Sequence, residues 1–498
     1  METSVDQVHA AYRTGNLTCH ELVQMYLDRI DAYDKNGPKL NTVITLNPDA
    51  LAEADKLDAA FKRSGFVGPL HGIPVLVKDQ VDAAGMPTTL GSVVFKDYRP
   101  PKDSFVVANL RKAGAVILGK TTLGEFGGGD TYGSLFGASR NPYDLERSVG
   151  GSSGGSSAGV SANFSTIAVG EEGFSSIRRP AAWNAVVSMR PTAGLVSRTG
   201  MYDGWPDAHG SLGPIARSVK DLAEMLDMMV GYDPEDPETA FGVGHAPSSY
   251  TQFLDKNGLK GARIGILRQS IGHGSDLNSD DFKQVSEVFD RAVNELKAAG
   301  AVLVDPVEIP DINTLLATRA ADPDQTEQSL EHYLSRNPNS PYKTRADVFS
   351  SPDYPKIFPP KIGNFAPFKP GAKEKYYEYL VAREKLTVEV MKVMADNRLD
   401  SILLKSVEQQ PPLIRVGMNP PYPSAVGAVD LNTFLIDPPV ISMPAGFSRD
   451  GLPVGVTFFG KPFSEPALIK QAYAYEQATH HRVPPKTTPP LFAHGVPE

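Results

Sequence analysis

Residues 148–213 constrain this chain more than any other stretch, because they are rich in glycine, serine and alanine yet do not read as a linker. Apolar residues recur within them and the stretch lies mid-chain, which marks a packed segment and not a tether. Small residues let backbones approach closely, so the segment is expected to build the core around a site. It opens with Gly150-Gly151-Ser152-Ser153-Gly154-Gly155-Ser156-Ser157 and continues to Gly170-Glu171-Glu172-Gly173-Phe174-Ser175-Ser176-Ile177-Arg178-Arg179. Alone, such a loop is equally a tight turn against a helix or a phosphate cradle. The lysine and Ser/Thr that would complete a P-loop do not follow it, and no GxGxxG succeeds a strand there.

The flanking sequence alternates between strand and helix signals, which argues for an α/β architecture. A helix is predicted from Thr18 to Asp34, where Thr18 and Glu21 form a capping box and Leu22, Tyr26, Ile30 and Tyr33 share a face. A second follows from Pro48 to Lys62. The apolar run Gly72–Val77, ending at Lys78, reads as a buried strand. Helix 104–113 and strand 115–118 come next, then strand 262–267, helix 282–299 and strand 301–304. A long helix at 372–397, strands at 401–404, 439–444 and 452–459, and a helix at 464–479 complete the pattern. Residues 337–370, rich in Pro, Asn and aromatics, read as irregular. No internal repeat or clean linker divides the chain, so 1–498 is read as one domain, with a catalytic core at about 65–230 and an irregular insertion at about 333–370.

Taken with Lys78, the Gly/Ser passage resembles the amidase signature family. That family's motif is a lysine ending an apolar strand, a Gly-Gly-Ser-Ser-Gly-Gly loop, and a second serine followed by Ile-Arg. Lys78-Asp79 matches the first part, Ser152 the bridging serine, and Ser176, at the spacing the motif expects, the nucleophile. Further blocks resemble the family at Leu70–Pro74, Ala113–Thr121, Gly213–Arg217 and Leu452–Gly455. The resemblance implies the amidase signature fold, a mixed β-sheet flanked by helices on both faces. It implies hydrolysis of a carboxylic amide through a serine acyl-enzyme, with esters or carbamates as side substrates. It also implies a cis peptide at Gly151–Ser152, and an oxyanion hole from the backbone N–H groups of Gly173, Phe174, Ser175 and Ser176.

The residue types suit that chemistry. A serine hydroxyl needs a base, and no histidine lies within residues 150–179. A neutral lysine serves if burial disfavours its charged form. Asp79 would oppose this only if its carboxylate reached the amine, and alternation along a strand points it to the other face. The sequence departs from the family pattern Gly-Thr-Asp-x-Gly-Gly-Ser: Phe174 and Ser175 replace the two glycines before the nucleophile. These side chains would be strained if the loop required φ > 0 there. Ser175 is a rival nucleophile, and Trp183-Asn184-Ala185 stands where the family commonly has a small Cys-Gly pair. Asp79 and Arg178 read as structural pairs near the site, and His71 as a hydrogen-bonded core residue. His480-His481 reads as a helix end, and Tyr376, Tyr377 and Tyr379 as one helix face.

A net charge of −9 argues against a nucleic-acid partner, and the single cysteine, Cys19, excludes an internal disulfide or a Cys-based zinc site. With no long apolar run and no basic leader, the expectation is a cytoplasmic enzyme without metal, cofactor or membrane contact, acting on a small-molecule amide. The resemblance leaves a homodimer open by analogy. Two other readings stay open: the A-subunit type glutaminase of a tRNA-dependent amidotransferase, and a non-catalytic binding protein with this fold. Proline and aromatic residues between Tyr333 and Phe368 point to an aryl or alkyl amide.

Overall fold

The computed structural model describes residues 1–204, 210–357, 370–417, 426–429, 431 and 437–491. Among them, eleven strands form one mixed sheet. In chain order they are β1 (Val43–Leu46), β2 (Pro74–Lys78), β3 (Val116–Thr121), β4 (Ile167–Glu172), β5 (Val187–Arg190), β6 (Ser211–Ala216), β7 (Arg263–Leu267), β8 (Val302–Val307), β9 (Ser401–Lys405), β10 (Val440–Phe447) and β11 (Pro453–Phe459). Their order across the sheet is β1-β3-β2-β4-β6-β5-β10-β11-β9-β7-β8. Two parallel stretches, β3-β2-β4 and β9-β7-β8, flank an antiparallel centre.

Helices cover both faces, as strand alternation requires of a sheet buried on two sides. Along β9, Ile402 and Leu404 point into a cluster with Tyr376, Tyr379, Leu386, Val390 and Met394 of helix Ala372–Asp396. Leu403 points the other way, into the larger core with Val285, Phe289 and Leu296 of helix Asp280–Ala298 and Leu468 and Tyr475 of helix Glu465–Thr479. Tyr377 is exposed, so the tyrosine face of the long helix comprises two residues and not three.

Most expected elements form within a few residues of their expected bounds. The capping box of Thr18 and Glu21 is present, but its α-helix ends at Arg29 and continues as a π-helical segment Ile30–Lys35. The described part of 337–370 is less irregular than its composition: Thr344 and Asp347 make a capping box for helix Arg345–Phe349. The rest of that stretch, 358–369, lies outside the described residues. Its aromatic neighbours are spent on packing. Tyr333 and Tyr354 join Phe95, Tyr98, Phe126 and Tyr202 in a cluster of their own, and the Tyr333 hydroxyl donates to Asp82 at 2.9 Å.

Candidate active site

The site lies where two parallel strands end together. β2 and β4 are aligned with Val77 opposite Val169, so Lys78 finishes one strand beside Glu171 and Glu172, which finish the other. Against both strands packs helix Gly154–Ser161, made entirely of small residues and Val160, all buried. Its close approach needs glycine: a Cβ on Gly155 would lie 2.4 Å from the Thr122 carbonyl oxygen.

Lys78 and Ser152 are both fully buried. The Lys78 amine lies 2.7 Å from the Ser152 hydroxyl oxygen. Ser152 follows the cis peptide Gly151–Ser152. Several contacts hold that turn. Gly151 packs so tightly that a Cβ would lie 2.3 Å from the Gly129 carbonyl oxygen. The Arg179 guanidinium donates to the Gly151 carbonyl at 3.3 Å through Nε and Nη2, and is itself ion-paired to Asp130 at 2.6 Å. The Ser153 N–H donates to the Ser176 carbonyl at 3.0 Å, which ties the loop of Ser152 to the loop of Ser176.

The loop of Ser176 is shaped by a second buried pair. Glu172 accepts from the backbone N–H groups of Ile177 (2.8 Å) and Arg178 (2.9 Å) and from Arg178 Nε (2.8 Å). Arg178 Nη2 in turn donates to the Phe174 carbonyl at 2.6 Å. Burial pushes the Glu172 carboxyl up, but the Arg178 guanidinium and these donors outweigh it and hold it below the usual carboxylate range. Phe174, Ser175 and Ser176 all lie outside the positive-φ region, so no strain arises at the two replaced glycines. The N–H groups of Gly173, Ser175 and Ser176 meet no backbone acceptor among the described residues. Ser175 is buried, whereas Ser176 is partly exposed. The exposed Arg319 guanidinium stacks 4.2 Å above the Phe174 ring, beside this loop.

Asp79 points away from Lys78, as alternation requires, and pairs with the buried Lys120 at 3.1 Å. Arg178 is structural, pairing with Glu172 and holding the Phe174 carbonyl. His71 is fully buried, with Nδ1 accepting from the Val67 N–H at 3.2 Å. His480 caps a helix, and His481 meets Glu295 at 2.8 Å. The larger residues at 183–185 are accommodated: Trp183 Nε1 donates to the Gln409 carbonyl at 3.0 Å, and Asn184 to that of Val149 at 2.9 Å. Ala185 takes a φ of 49°, a conformation that favours glycine.

One neighbour of Lys78 is not evident from the sequence. The Glu171 carboxylate lies 2.8 Å from the amine, and the Glu171 carbonyl 3.2 Å. The available signal was a carboxylate at the end of a strand, two positions before the loop that carries the replaced glycines.

A sequence model of the Amidase family matches residues 21–469. The chain belongs to the amidase family. Among its relatives, a probable amidase of Arabidopsis thaliana is 32% identical, with 97% of this chain and 91% of that protein aligned. The A-subunit of a glutamyl-tRNA(Gln) amidotransferase from Methanosarcina barkeri is 33% identical over 97% of this chain and 98% of its own length. Among solved structures, the native peptide amidase of Stenotrophomonas maltophilia superposes with a TM-score of 0.85 at 35% identity, covering 98% of this amidase and 99% of that chain. No helix among the described residues is long and apolar enough to cross a membrane.

Proposed function

We propose that this amidase hydrolyses a small-molecule carboxylic amide by a Ser176–Ser152–Lys78 relay. The observation that carries the reading is the fully buried Lys78 amine 2.7 Å from the Ser152 hydroxyl, on a loop hydrogen-bonded to Ser176. Burial pushes the Lys78 amine below the ordinary lysine range, against the opposing pull of Glu171. Ser176 attacks the carbonyl carbon and passes its proton to Ser152, which hands its own to Lys78. The carbonyl oxygen, now charged, is met by the backbone N–H groups of Gly173, Phe174, Ser175 and Ser176. The relay then reverses to protonate the leaving amine, and water releases the acid by the same route.

The whole chain acts as one amidase domain, without a metal or organic cofactor, in a reducing compartment suited to its lone buried Cys19. A homodimer is the assembly that analogy suggests. Aryl or alkyl amides are the substrate class, with esters and carbamates sharing the acylation chemistry. A second reading, glutaminase of the amidotransferase A-subunit type, is favoured by relatives of that description at 33% identity. Against it, a Thermotoga maritima A-subunit structure is 26% identical with a TM-score of 0.71, below the peptide amidase on both measures. The test is a panel of aryl anilides, fatty amides, aryl carbamates and free glutamine, with Ser176→Ala as control. Turnover of anilides or fatty amides by the lone chain supports the first reading. Glutamine hydrolysis alone, dependent on a co-purifying partner protein, supports the second.

A further inference from the structure

Among the described residues, the Lys78 amine has three oxygen neighbours: Ser152 Oγ at 2.7 Å, Glu171 Oε2 at 2.8 Å and the Glu171 carbonyl at 3.2 Å. One leads to the reacting serine and the other two belong to a single residue. Both ends of the Lys78–Glu171 pair are buried, at 0% and 6% side-chain exposure. A lone charge at such a place is costly, whereas a pair sharing one proton is neutral overall. From the geometry we propose that Glu171 is a positioning residue that shares one proton with Lys78, so that the pair, and not the amine alone, receives the proton of Ser176. This rests on the reading of Lys78 as the base.

Before attack the pair holds one proton and no net charge, as amine with carboxylic acid or as ammonium with carboxylate. In the amine form, the nitrogen lone pair faces Ser152. As the bond from Ser176 Oγ to the carbonyl carbon forms, the Ser176 O–H bond breaks and its proton passes to Ser152. Ser152 releases its own proton to Lys78. The pair then holds two protons, as ammonium with carboxylic acid, with one positive charge opposite the new oxyanion. When the C–N bond breaks, the leaving nitrogen takes a proton from Ser152 and Lys78 resupplies it. The pair returns to neutrality.

The surroundings favour a shared proton. Burial raises the Glu171 carboxyl, and Asp203 and Glu172 add to the rise while Lys78 opposes it. Glu171 Oε1 and Asp203 Oδ1 both lie against Gly210, at 2.9 and 3.2 Å from the place of a Cβ there. On the far side, Glu172 is matched by Arg178, with Arg190 close by on β5. Asp79 and Lys120 neutralise each other on the opposite face of β2. Among the described residues, Glu171 is therefore the carboxylate that faces the amine directly.

The experiment is the pH profile of kcat/KM for wild type, Glu171→Gln and Glu171→Thr, with circular dichroism to report folding. If the singly protonated pair is the working base, the wild-type limb reports loss of the first of two coupled protons. Either partner can lose that proton. Removing one route moves the limb to higher pH, by roughly 1–3 units. KM stays close to wild type. If the working base is instead a free amine beside an ionised carboxylate, losing the negative charge makes the amine easier to deprotonate, and the limb moves to lower pH. That shift, or no shift, overturns the proposal. So does failure of both variants to fold, which would make Glu171 a structural residue. Lys78→Ala separates the two readings: near-wild-type rates with an unchanged limb would remove the base itself, whereas a dead Lys78→Ala beside an unshifted Glu171→Gln removes only the shared proton.

Discussion

Replacing Glu172 by Gln tests whether the Ser176 loop is held by its buried carboxylate. Oε2 accepts two backbone N–H groups, from Ile177 and Arg178, while Oε1 accepts Arg178 Nε. A glutamine has one carbonyl oxygen. Placed at Oε2, it keeps the backbone bonds but turns its NH2 toward the Arg178 donor; placed at Oε1, it leaves two N–H groups facing donors. Either way the guanidinium loses its counter-charge in a site with no solvent access to Glu172. Breaking a buried pair from one side costs about 3–5 kcal/mol, and each orphaned buried donor about 1–3 kcal/mol, so a loss of at least about 3 kcal/mol is expected. Equilibrium urea unfolding at pH 7 measures it. Because Glu172 is held below the usual range when folded, its contribution is fully present above the unfolded carboxylate value, about 4.3. It fades as the pH falls through the lower, folded value. The gap between wild type and variant should therefore narrow in acid. kcat/KM should fall as well, since Arg178 also positions the Phe174 carbonyl. A variant with wild-type stability and rate would refute the loop's dependence on this pair.

Three other outcomes are expected. Ser176→Ala, Ser152→Ala and Lys78→Ala should each lower kcat by about 10³-fold or more, and non-additively, in steady-state assays, because a relay acts as a unit. Thiol reagents should leave native enzyme active and Cys19 unmodified by mass spectrometry: it is buried, and burial with Asp58 nearby pushes its thiol up to about 12. Gly151→Ala should yield inactive or insoluble protein, since its Cβ would lie 2.3 Å from backbone; soluble enzyme with wild-type rates would show that the turn can move.

Much of the site was legible because its parts are local. Lys78 ends an apolar run, Ser152 sits in a glycine-serine loop, and the capping box at Thr18 and Glu21 is a four-residue pattern. What was missed depends on distant partners. Glu171 reaches Lys78 only because β4 lies beside β2, and Asp130 meets Arg179 across the cis turn. Helix Gly154–Ser161 contradicts the low helix propensity of Gly and Ser; burial on every side outweighs it. Helix Val5–Thr14 and strand Val43–Leu46 have no counterpart among the elements expected from the sequence. The strand is four residues long, with a burial pattern too brief to show alternation.

The role of Ser176 as nucleophile is tested most directly by mapping a covalent adduct. A fluorophosphonate forms a stable bond with an activated serine, and digestion with tandem mass spectrometry locates it. A single adduct on Ser176 is expected, formed faster as pH rises through the limb of kcat/KM and absent from Ser176→Ala. An adduct on Ser175, or amide turnover by Ser176→Ala at the wild-type rate, would contradict that role.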